Sequence, residues 1–348
     1  MTAISVIVPT YNRAASLAEA IQSLLAQTWS DFEVVVVDDG STDDTPAVVG
    51  QIADERVRYL RCAHAERSVA RNRGLAAAEG GYIAFLDDDD ICLPHRLECQ
   101  AQYLNDHQDC DVVGSGCRIR WEGESRRTLW TPWREADELS LLGCLLGRRP
   151  SLFACMFRRS VLAQMNHWFD ARLVLAEDVD FVLRLVLACG GRATWLPEVV
   201  YEYRLGRNSP GRDVHLAERI RRTVLDKLFS RPDLSPEVRA QRQAVYAWHD
   251  VSAACTAYAA GQSRLAQFFL LRGLALRPIL RTEGADLLVD YLALSAALQP
   301  DSDTEHSRLV NEVFDSLPSP LASWEAWRAR ALDQVQARRH SDVQAHSD

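Results

Sequence analysis

The strongest constraint on the fold is an alternation of strand and helix patterns in the region up to Ser115. Ile4 to Val8 and Phe32 to Val37 are apolar at consecutive positions, which is typical of strands buried on both faces. Ala14 to Ala26, between them, carries apolar residues at helical spacing. The same alternation continues with helices predicted over Thr45 to Ala53 and Ser68 to Glu79, and strands over Val57 to Leu60 and Tyr82 to Leu86. This pattern predicts an α/β fold with a doubly wound, mostly parallel sheet.

The sequence changes character near Arg212. Before it, strands are predicted over Phe153 to Phe157 and Thr194 to Tyr203, with a helix over Asp178 to Cys189. After it we predict four helices: Asp213 to Ser230, Pro236 to Ala260, Arg264 to Arg277 and Gly284 to Leu298. We therefore predict an α/β domain over residues 1–211, an all-helical C-terminal extension over residues 212–335, and a disordered polar tail over residues 336–348.

Three polar clusters directly follow predicted strands. They are Pro9 to Arg13, Asp38 to Asp43 and Asp87 to Asp90. In open α/β sheets, ligands bind beyond the carboxyl ends of the strands, so we expect the three clusters to form one site.

The run of four aspartates, Asp87 to Asp90, is the most specific of these clusters. Adjacent carboxylates repel one another unless a cation or a set of donors compensates them. Mg²⁺ and Mn²⁺ are bound by one or two carboxylates together with substrate phosphates. An acidic, solvated turn is the structural alternative, but the position directly after a buried strand favours a metal site.

Four segments together resemble a known family. ISVIVPTYNR, VVVVDDGSTDDT, SVARNRGLAAAEGGYIAFLDDDD and AEDVDFVLRL occur in this order, and the match covers roughly residues 3–205. In these segments the chain is similar to family 2 glycosyltransferases with the GT-A fold. The resemblance implies a catalytic domain over residues 1–211 that transfers a sugar, with inversion, from a UDP- or dTDP-sugar to an acceptor hydroxyl.

The resemblance also implies roles for individual residues at the nucleotide. Pro9, Thr10 and Tyr11 correspond to the loop that lies against the base and ribose. Asp39 corresponds to the carboxylate that accepts the N3–H of uracil or thymine. Arg71 corresponds to a basic residue near the base and phosphates, and its neighbour Arg73 is the alternative.

Further roles concern the metal and the base. The acidic run corresponds to the family's Asp-x-Asp motif, which makes Asp89 the expected ligand of Mn²⁺ or Mg²⁺. Asp87 and Asp88 would then hold ribose hydroxyls or metal-bound water, although four identical residues leave the register open.

Glu177 and Asp178 correspond to the family's Glu-Asp pair, in which the aspartate is the catalytic base. Asp180 is the alternative candidate for the base. A purely structural alternative is that these acidic residues only stabilise the start of a helix.

The chain departs from the family in two places. The segment Tyr201 to Gly211 resembles the strand and loop that close the family domain, but it lacks the histidine often found there. Arg204 or Arg207 is the expected replacement for its phosphate contact. The chain also lacks the Gln-x-x-Arg-Trp motif and the membrane helices of processive synthases, which predicts a single-addition enzyme.

Composition argues against other classes. The net charge of −9 gives no support to nucleic-acid binding. Lys227 is the only lysine, which disfavours a dehalogenase-type phosphatase, and the Gly-x-x-x-x-Gly-Lys loop of kinases is absent. A non-enzymatic docking module is the remaining alternative. Nine cysteines without a Cys-x-x-Cys pair, and an N-terminus unlike a signal peptide, predict reduced thiols and a cytoplasmic location.

The expected partners are a nucleotide-sugar donor and a glycan, lipid-linked or protein acceptor. The segment Asp213 to Ser230 combines basic residues with an apolar stripe, Leu216, Ile220, Val224 and Leu228. Such a helix could make a peripheral contact with the inner face of a membrane or with a protein. Packing of the stripe against the catalytic domain is the simpler expectation.

Overall fold

The computed structural model describes residues 3–121, 127–134, 138–205, 213–259 and 262–276. The chain divides into two compact units, Met1–Ser209 and Pro210–Asp348. Each unit is described separately below.

The first unit alternates strands and helices, as the sequence predicts. Its described elements are β1 (Ile4–Thr10), α1 (Ala14–Leu25), β2 (Phe32–Asp38), α2 (Thr45–Gly50), β3 (Val57–Arg61), α3 (Arg67–Ala77), β4 (Tyr82–Phe85), β5 (Ile91–Cys92), α4 (Arg96–Asp106), β6 (Val112–Trp121), β7 (Arg127–Trp130), α5 (Leu141–Leu145), β8 (Cys155–Arg158), α6 (Glu177–Cys189) and β9 (Ala193–Leu205).

One sheet contains these strands in the order β3-β2-β1-β4-β8-β6-β9-β5, with β7 paired to β6. Strands β1 to β4 are parallel, so their carboxyl ends lie at one edge. Strand β8 joins β4 in the antiparallel direction, and β6 joins β8 in the same way. The predicted α/β class is confirmed. The sheet is mixed, and its parallel half carries the three polar clusters.

The core explains why the first strands read as continuous apolar runs. Every residue of β1 and β2 is buried, because helices cover both faces of this part of the sheet. Helix α1 contributes its apolar stripe, Leu17, Ala20, Ile21 and Leu24. Helix α3 packs closely on β1 at Gly74, where an added β-carbon would lie 2.4 Å from Ile7 Cγ2.

Helix α4 is an element that the sequence pattern did not reveal. Two of its buried residues, Arg96 and Gln100, are polar and interrupt the apolar periodicity. Arg96 is fully buried, and its guanidinium donates to the carbonyl oxygens of Phe85 and Cys155 at 3.1 and 3.3 Å. These bonds join α4 to β4 and β8, because a buried charge requires hydrogen-bond partners.

The pairing of β6 with β9 contains two successive register shifts, one on each side of Gly116. Gly114 pairs with Trp195, whereas Gly116 pairs with Val199, so β9 has extra residues at this point. Beyond the bulge the regular pairing resumes and continues to Trp121 and Leu205. A bulge bends the strand that carries the extra residues and changes its direction.

The second unit is helical over its described residues, with α7 (Val214–Phe229), α8 (Pro236–Ala240), α9 (Arg242–Ala259) and α10 (Ser263–Leu276). The single helix predicted over Pro236 to Ala260 is therefore two helices, separated at Gln241. The helix predicted over Gly284 to Leu298 and the predicted polar tail lie outside the described residues.

Helices α7, α9 and α10 are connected by buried ion pairs. Asp250 of α9 accepts hydrogen bonds from Arg222 of α7 at 2.9 Å and from Arg272 of α10 at 2.6 Å. Ile220, Val224 and Leu228 of the apolar stripe are also buried. These three side chains are therefore shielded from solvent, while the predicted packing against the catalytic domain and the predicted membrane or protein contact stay predictions. Among the described helices, none has the length and apolar character needed to cross a bilayer.

Close packing at Gly74 gives a testable expectation. Gly74→Ala should lower the free energy of unfolding by about 1–3 kcal/mol, because the new methyl group overlaps Ile7 in a packed core. Urea unfolding followed by circular dichroism measures this change. Gly50→Ala, at the end of α2 with no atom within 4 Å of the new methyl group, is the control and should be neutral or slightly stabilising. Equal effects of the two substitutions would contradict the packing argument.

Candidate active site

The loops after β1 and β2 are connected through Asn12. Its side-chain Oδ1 accepts hydrogen bonds from the backbone N–H groups of Thr42 and Asp43, at 2.7 and 3.3 Å. Its own N–H donates to Ser41 Oγ at 2.9 Å. Asn12 has a φ of 53°, a left-handed conformation that asparagine tolerates better than most residues. The first two polar clusters therefore form one rigid loop pair at the predicted edge of the sheet.

Asp38 and Asp39 have different surroundings. Asp38 is completely buried, accepts the N–H of Ser41 at 2.7 Å and is bonded to the Tyr59 hydroxyl. Asp39 accepts the N–H groups of Ala65 and Glu66, both at 2.9 Å. Asp38 thus shapes the loop after β2, and Asp39 holds the turn that precedes α3.

His64 is a residue of this region that the sequence analysis missed. Its Nδ1 lies 2.8 Å from Asp39 Oδ2, and its ring stacks on Tyr11 with centroids 4.3 Å apart. Tyr11 is 43% exposed, so one aromatic face at the end of β1 is open to a ligand. Pro9 and Thr10 are the last residues of β1 itself and pair with Val37 and Asp38. No sequence motif indicated His64, because only the fold brings it to Asp39.

Arg71 is the centre of the site. It is 3% exposed and lies between the rings of Phe153 and Phe169, with its Cζ 5.6 and 5.5 Å from their centroids. Its Nη2 donates to Asp87 Oδ1 at 2.9 Å and its Nη1 donates to Glu177 Oε1 at 2.7 Å. One buried guanidinium therefore joins the acidic run to the predicted Glu-Asp pair.

The surroundings of Arg71 keep it charged. Burial by itself would lower the pKa of Arg71, but the charges of Asp87, Glu177 and Asp178 outweigh it and raise the pKa above its usual value. The pKa of Tyr203 is raised as well, first by burial and then by the charges of the acidic run and Asp178. Asp178 is therefore near enough for its charge to act on both Arg71 and Tyr203.

Three of the four aspartates can share a cation. Single carboxylate oxygens of Asp87, Asp89 and Asp90 lie within 4.8 Å of one another. Asp90 Oδ1 accepts the N–H of Arg204, whereas its buried Oδ2 has no hydrogen-bond partner among the described residues. Burial, followed by neighbouring charge, raises the pKa of Asp90 well above its usual value. These residues fit a divalent metal that prefers oxygen ligands. Asp90 was not among the predicted site residues.

Asp88 lies apart from this group. Its Oδ1 is 3.9 Å from Arg13 Nε, and Arg13 also forms an ion pair with Asp89. Burial, together with the charges of Asp87 and Asp89, raises the pKa of Asp88 to about 7. The structure thus separates the members of a run that the sequence alone could not distinguish.

Glu177 and Asp178 begin α6, directly after Ala176, which has a φ of 56°. Glu177 is buried against Arg71, whereas Asp178 is half-buried. Asp180 is buried and bonded to Arg184 at 2.6 Å. Because Asp180 is committed to that ion pair, Asp178 is the better placed of the two for chemistry in the cleft.

The basic residues predicted as supports have other contacts. Arg73 donates to the carbonyl of Ala63 at 3.1 Å. Arg204 forms an ion pair with Glu19 of α1 at 2.6 Å, so its guanidinium is directed to that helix. Arg207 lies outside the described residues. Arg67 was not predicted, yet its Nε lies 3.7 Å from Glu177.

Comparison with known proteins identifies the class. The sequence model of Glycosyl transferase family 2 matches residues 5–165. Succinoglycan biosynthesis protein ExoO of Rhizobium meliloti is 34% identical over 241 residues, which cover 66% of this chain and 68% of ExoO. The uncharacterized glycosyltransferase EpsJ of Bacillus subtilis is 32% identical, over 61% of this chain and 66% of EpsJ. The chain thus spans about two thirds of the length of these relatives.

Solved structures agree on the fold. S. aureus TarS, crystallised with UDP-GlcNAc, has a TM-score of 0.59 and 22% identity, with 99% of this chain and 92% of that chain covered. The chain belongs to family 2 of the glycosyltransferases and has the GT-A fold, as the four sequence segments indicated. It is a glycosyltransferase.

The turn held by Asp39 gives a second expectation. Glu66 has φ 72° and ψ 160°, a conformation that is essentially restricted to glycine and costs about 1–3 kcal/mol in other residues. Glu66→Gly should therefore raise the free energy of unfolding by about 1 kcal/mol after the entropy of glycine is subtracted. Thermal unfolding measures the change. Glu66→Ala removes the same side chain but keeps the strain, and stabilisation by alanine as well would point to the carboxylate instead of the backbone.

Proposed function

We propose that this chain is an inverting, single-addition glycosyltransferase that uses a UDP- or dTDP-sugar and Mn²⁺ or Mg²⁺. The observation that carries the proposal is the double hydrogen bond of Arg71 to Asp87 and Glu177. It brings the acidic run and the Glu-Asp pair into one cleft, as transfer from a diphosphate leaving group to an acceptor requires.

The nucleotide end of the cleft is formed by Pro9, Thr10, Tyr11 and Asp39. The exposed face of Tyr11, supported from behind by His64, offers a stacking surface for a base. Asp39 already accepts two backbone N–H groups, and a carboxylate has further lone pairs with which to accept the N3–H of uracil or thymine. Both bases present the same N3–H, so this contact serves either nucleotide.

The diphosphate end is formed by the acidic run. Asp89, with Asp87 and Asp90 beside it, would hold the divalent metal, whose charge stabilises the departing nucleoside diphosphate when it is bound. Asp88 is left for a ribose hydroxyl or water. Arg71 is enclosed by phenylalanines and bonded to carboxylates. We therefore propose that Arg71 positions Asp87 and Glu177 and does not contact the phosphates directly.

The acceptor end is formed by α6. The acceptor oxygen attacks the anomeric carbon from the face opposite the diphosphate, and the bond to the leaving phosphate oxygen breaks as the new bond forms. Asp178 takes the proton of the acceptor hydroxyl. Glu177 is neutralised by Arg71, which leaves Asp178 as the group at the start of α6 that is free to act as the base.

The names of relatives suggest the chemical class of the acceptor. ExoO is named for succinoglycan biosynthesis, and a Campylobacter jejuni relative, 35% identical over 47% of this chain, is named for glucosyl transfer to an undecaprenol diphosphate glycan. These relatives support a role in glycan biosynthesis with a glycan or lipid-linked acceptor; a protein acceptor is the alternative. The second unit would serve acceptor or partner contacts, at the cytoplasmic face of the membrane or in the cytoplasm.

The base assignment is tested by Asp178→Asn. Transfer should fall by a factor of about 10²–10⁴, because the amide cannot take the acceptor proton, while donor binding stays unchanged. Product formation is measured by release of nucleoside diphosphate in the presence of acceptor, and donor binding by calorimetry. Asp109→Asn, an exposed carboxylate after α4, is the control. Transfer at the wild-type rate by the Asp178 variant would refute its role.

The metal and nucleotide assignments are tested by thermal shift. UDP or dTDP with Mn²⁺ at a hundred times its Kd should stabilise the protein by about 2.7 kcal/mol, and EDTA should abolish the metal-dependent part. UDP is the first nucleotide to test, since TarS has been solved with it. Asp89→Asn should remove the metal-dependent shift and Asp88→Asn should retain it. The reverse result would move the metal site within the run.

A further inference from the structure

Arg13 lies in the loop between β1 and α1 and contacts the acidic run. None of the roles described above is assigned to this arginine. Its guanidinium forms an ion pair with Asp89 through Nη1 and lies 3.9 Å from Asp88 through Nε, while its side chain is 51% exposed. An exposed salt bridge of this kind contributes little to stability. A contribution to the stability of the fold therefore does not explain the ion pair of Arg13 with Asp89.

The backbone around Arg13 is fixed, although its side chain is exposed. Asn12 is held to the loop after β2 by the hydrogen bonds described above, and the N–H of Ala14 donates to Asp43 Oδ2 at 3.1 Å. Residues on both sides of Arg13 are thus tied to the same neighbouring loop. The guanidinium can change partner by side-chain rotation while its backbone stays in place.

The partner of Arg13 is the carboxylate that the proposed function assigns to the metal. A guanidinium and a divalent cation repel each other, and both are attracted to the oxygens of Asp89. A metal on Asp89 therefore weakens the hold of Asp89 on Arg13. Asp43 accepts the N–H of Ala14 at the start of α1, and the half-exposed guanidinium of Arg13 is the cation of the β1–α1 loop that can meet a new anion.

We infer that Arg13 is a further donor-binding residue, which exchanges Asp89 for the diphosphate of the nucleotide sugar when the metal binds. The inference rests on the proposed function. An arginine fork suits phosphate oxygens, and a second cation beside the metal balances the charge that the leaving diphosphate acquires. Arg13 would touch the leaving group directly and give the site a cation that is independent of Arg71.

The inference predicts changes of opposite sign in two affinities. Arg13→Gln should raise the affinity for Mn²⁺ alone about three- to tenfold, because a competing positive charge is removed. The same variant should lower the affinity for UDP or dTDP, at saturating Mn²⁺, about tenfold, because a charge-assisted hydrogen bond is lost. The affinity for uridine or thymidine, which carry no phosphate, should not change. Arg13→Lys keeps the charge and should stay within about threefold of the wild type in each measurement.

Calorimetry measures nucleotide affinity, electron paramagnetic resonance of free Mn²⁺ measures metal affinity, and titration followed by nuclear magnetic resonance measures nucleoside affinity. Arg192→Gln is the matched control, since Arg192 is 46% exposed and paired with one carboxylate, Asp111, at 2.6 Å before the start of β9. Circular dichroism confirms that each variant is folded, and Arg13→Ala, which removes the same charge and should give the same two changes, carries the test if the glutamine variant is not folded.

The outcomes separate this inference from the proposed function. If the wild type binds both Mn²⁺ and diphosphate, and Arg13→Gln behaves like Arg192→Gln, Arg13 has no donor-binding role. A loss of both affinities would overturn the exchange as well, since it would make Arg13 a structural support of the loop. If the wild type itself binds neither Mn²⁺ nor a diphosphate, the proposed function fails.

Discussion

The buried Arg71 guanidinium is the interaction on which the site depends. A charge enclosed by Phe153 and Phe169 is stable only if its donors are satisfied, and Asp87 and Glu177 satisfy them from two different elements. The two carboxylates need Arg71 in turn, because Glu177 is buried and Asp87 lies beside other negative charges. The end of β4 and the start of α6 are consequently joined to each other by charge compensation.

The packing below Arg71 extends this constraint into the core. The Phe169 ring stacks on Phe181 of α6 with centroids 4.2 Å apart, and both rings contact Phe85 of β4 edge-on. The antiparallel pairing of β4 with β8 joins the parallel half of the sheet to the remainder at the same place. Aromatic packing, strand pairing and the Arg71 ion pairs thus meet in one part of the first unit, where they position the end of β4 against the start of α6.

The sequence predicted the features that repeat or stand next to each other along the chain. The strands β1 to β4 and the three polar clusters follow from local pattern, because a parallel sheet brings the carboxyl ends of its strands together. Partners distant in sequence were not predictable: His64 meets Asp39, and Arg13 meets Asp89, only through the fold. The run of four aspartates illustrates the limit, since identical residues take different roles according to the direction in which the backbone turns. Helix α4 was not predicted for a related reason. Its buried Arg96 interrupts the apolar pattern, and this burial depends on carbonyl groups of two strands that are distant in sequence.

The register shifts in β9 have a consequence for the rim of the cleft. Residues before the bulge pair with the start of β6, whereas residues after it lead to Arg204, whose N–H is bonded to Asp90. Adding or removing one residue at the bulge would translate the end of β9 by about 3.3 Å and turn every side chain beyond it to the opposite face. The length of this short irregular stretch therefore sets which side chains face the aspartates, independently of the core.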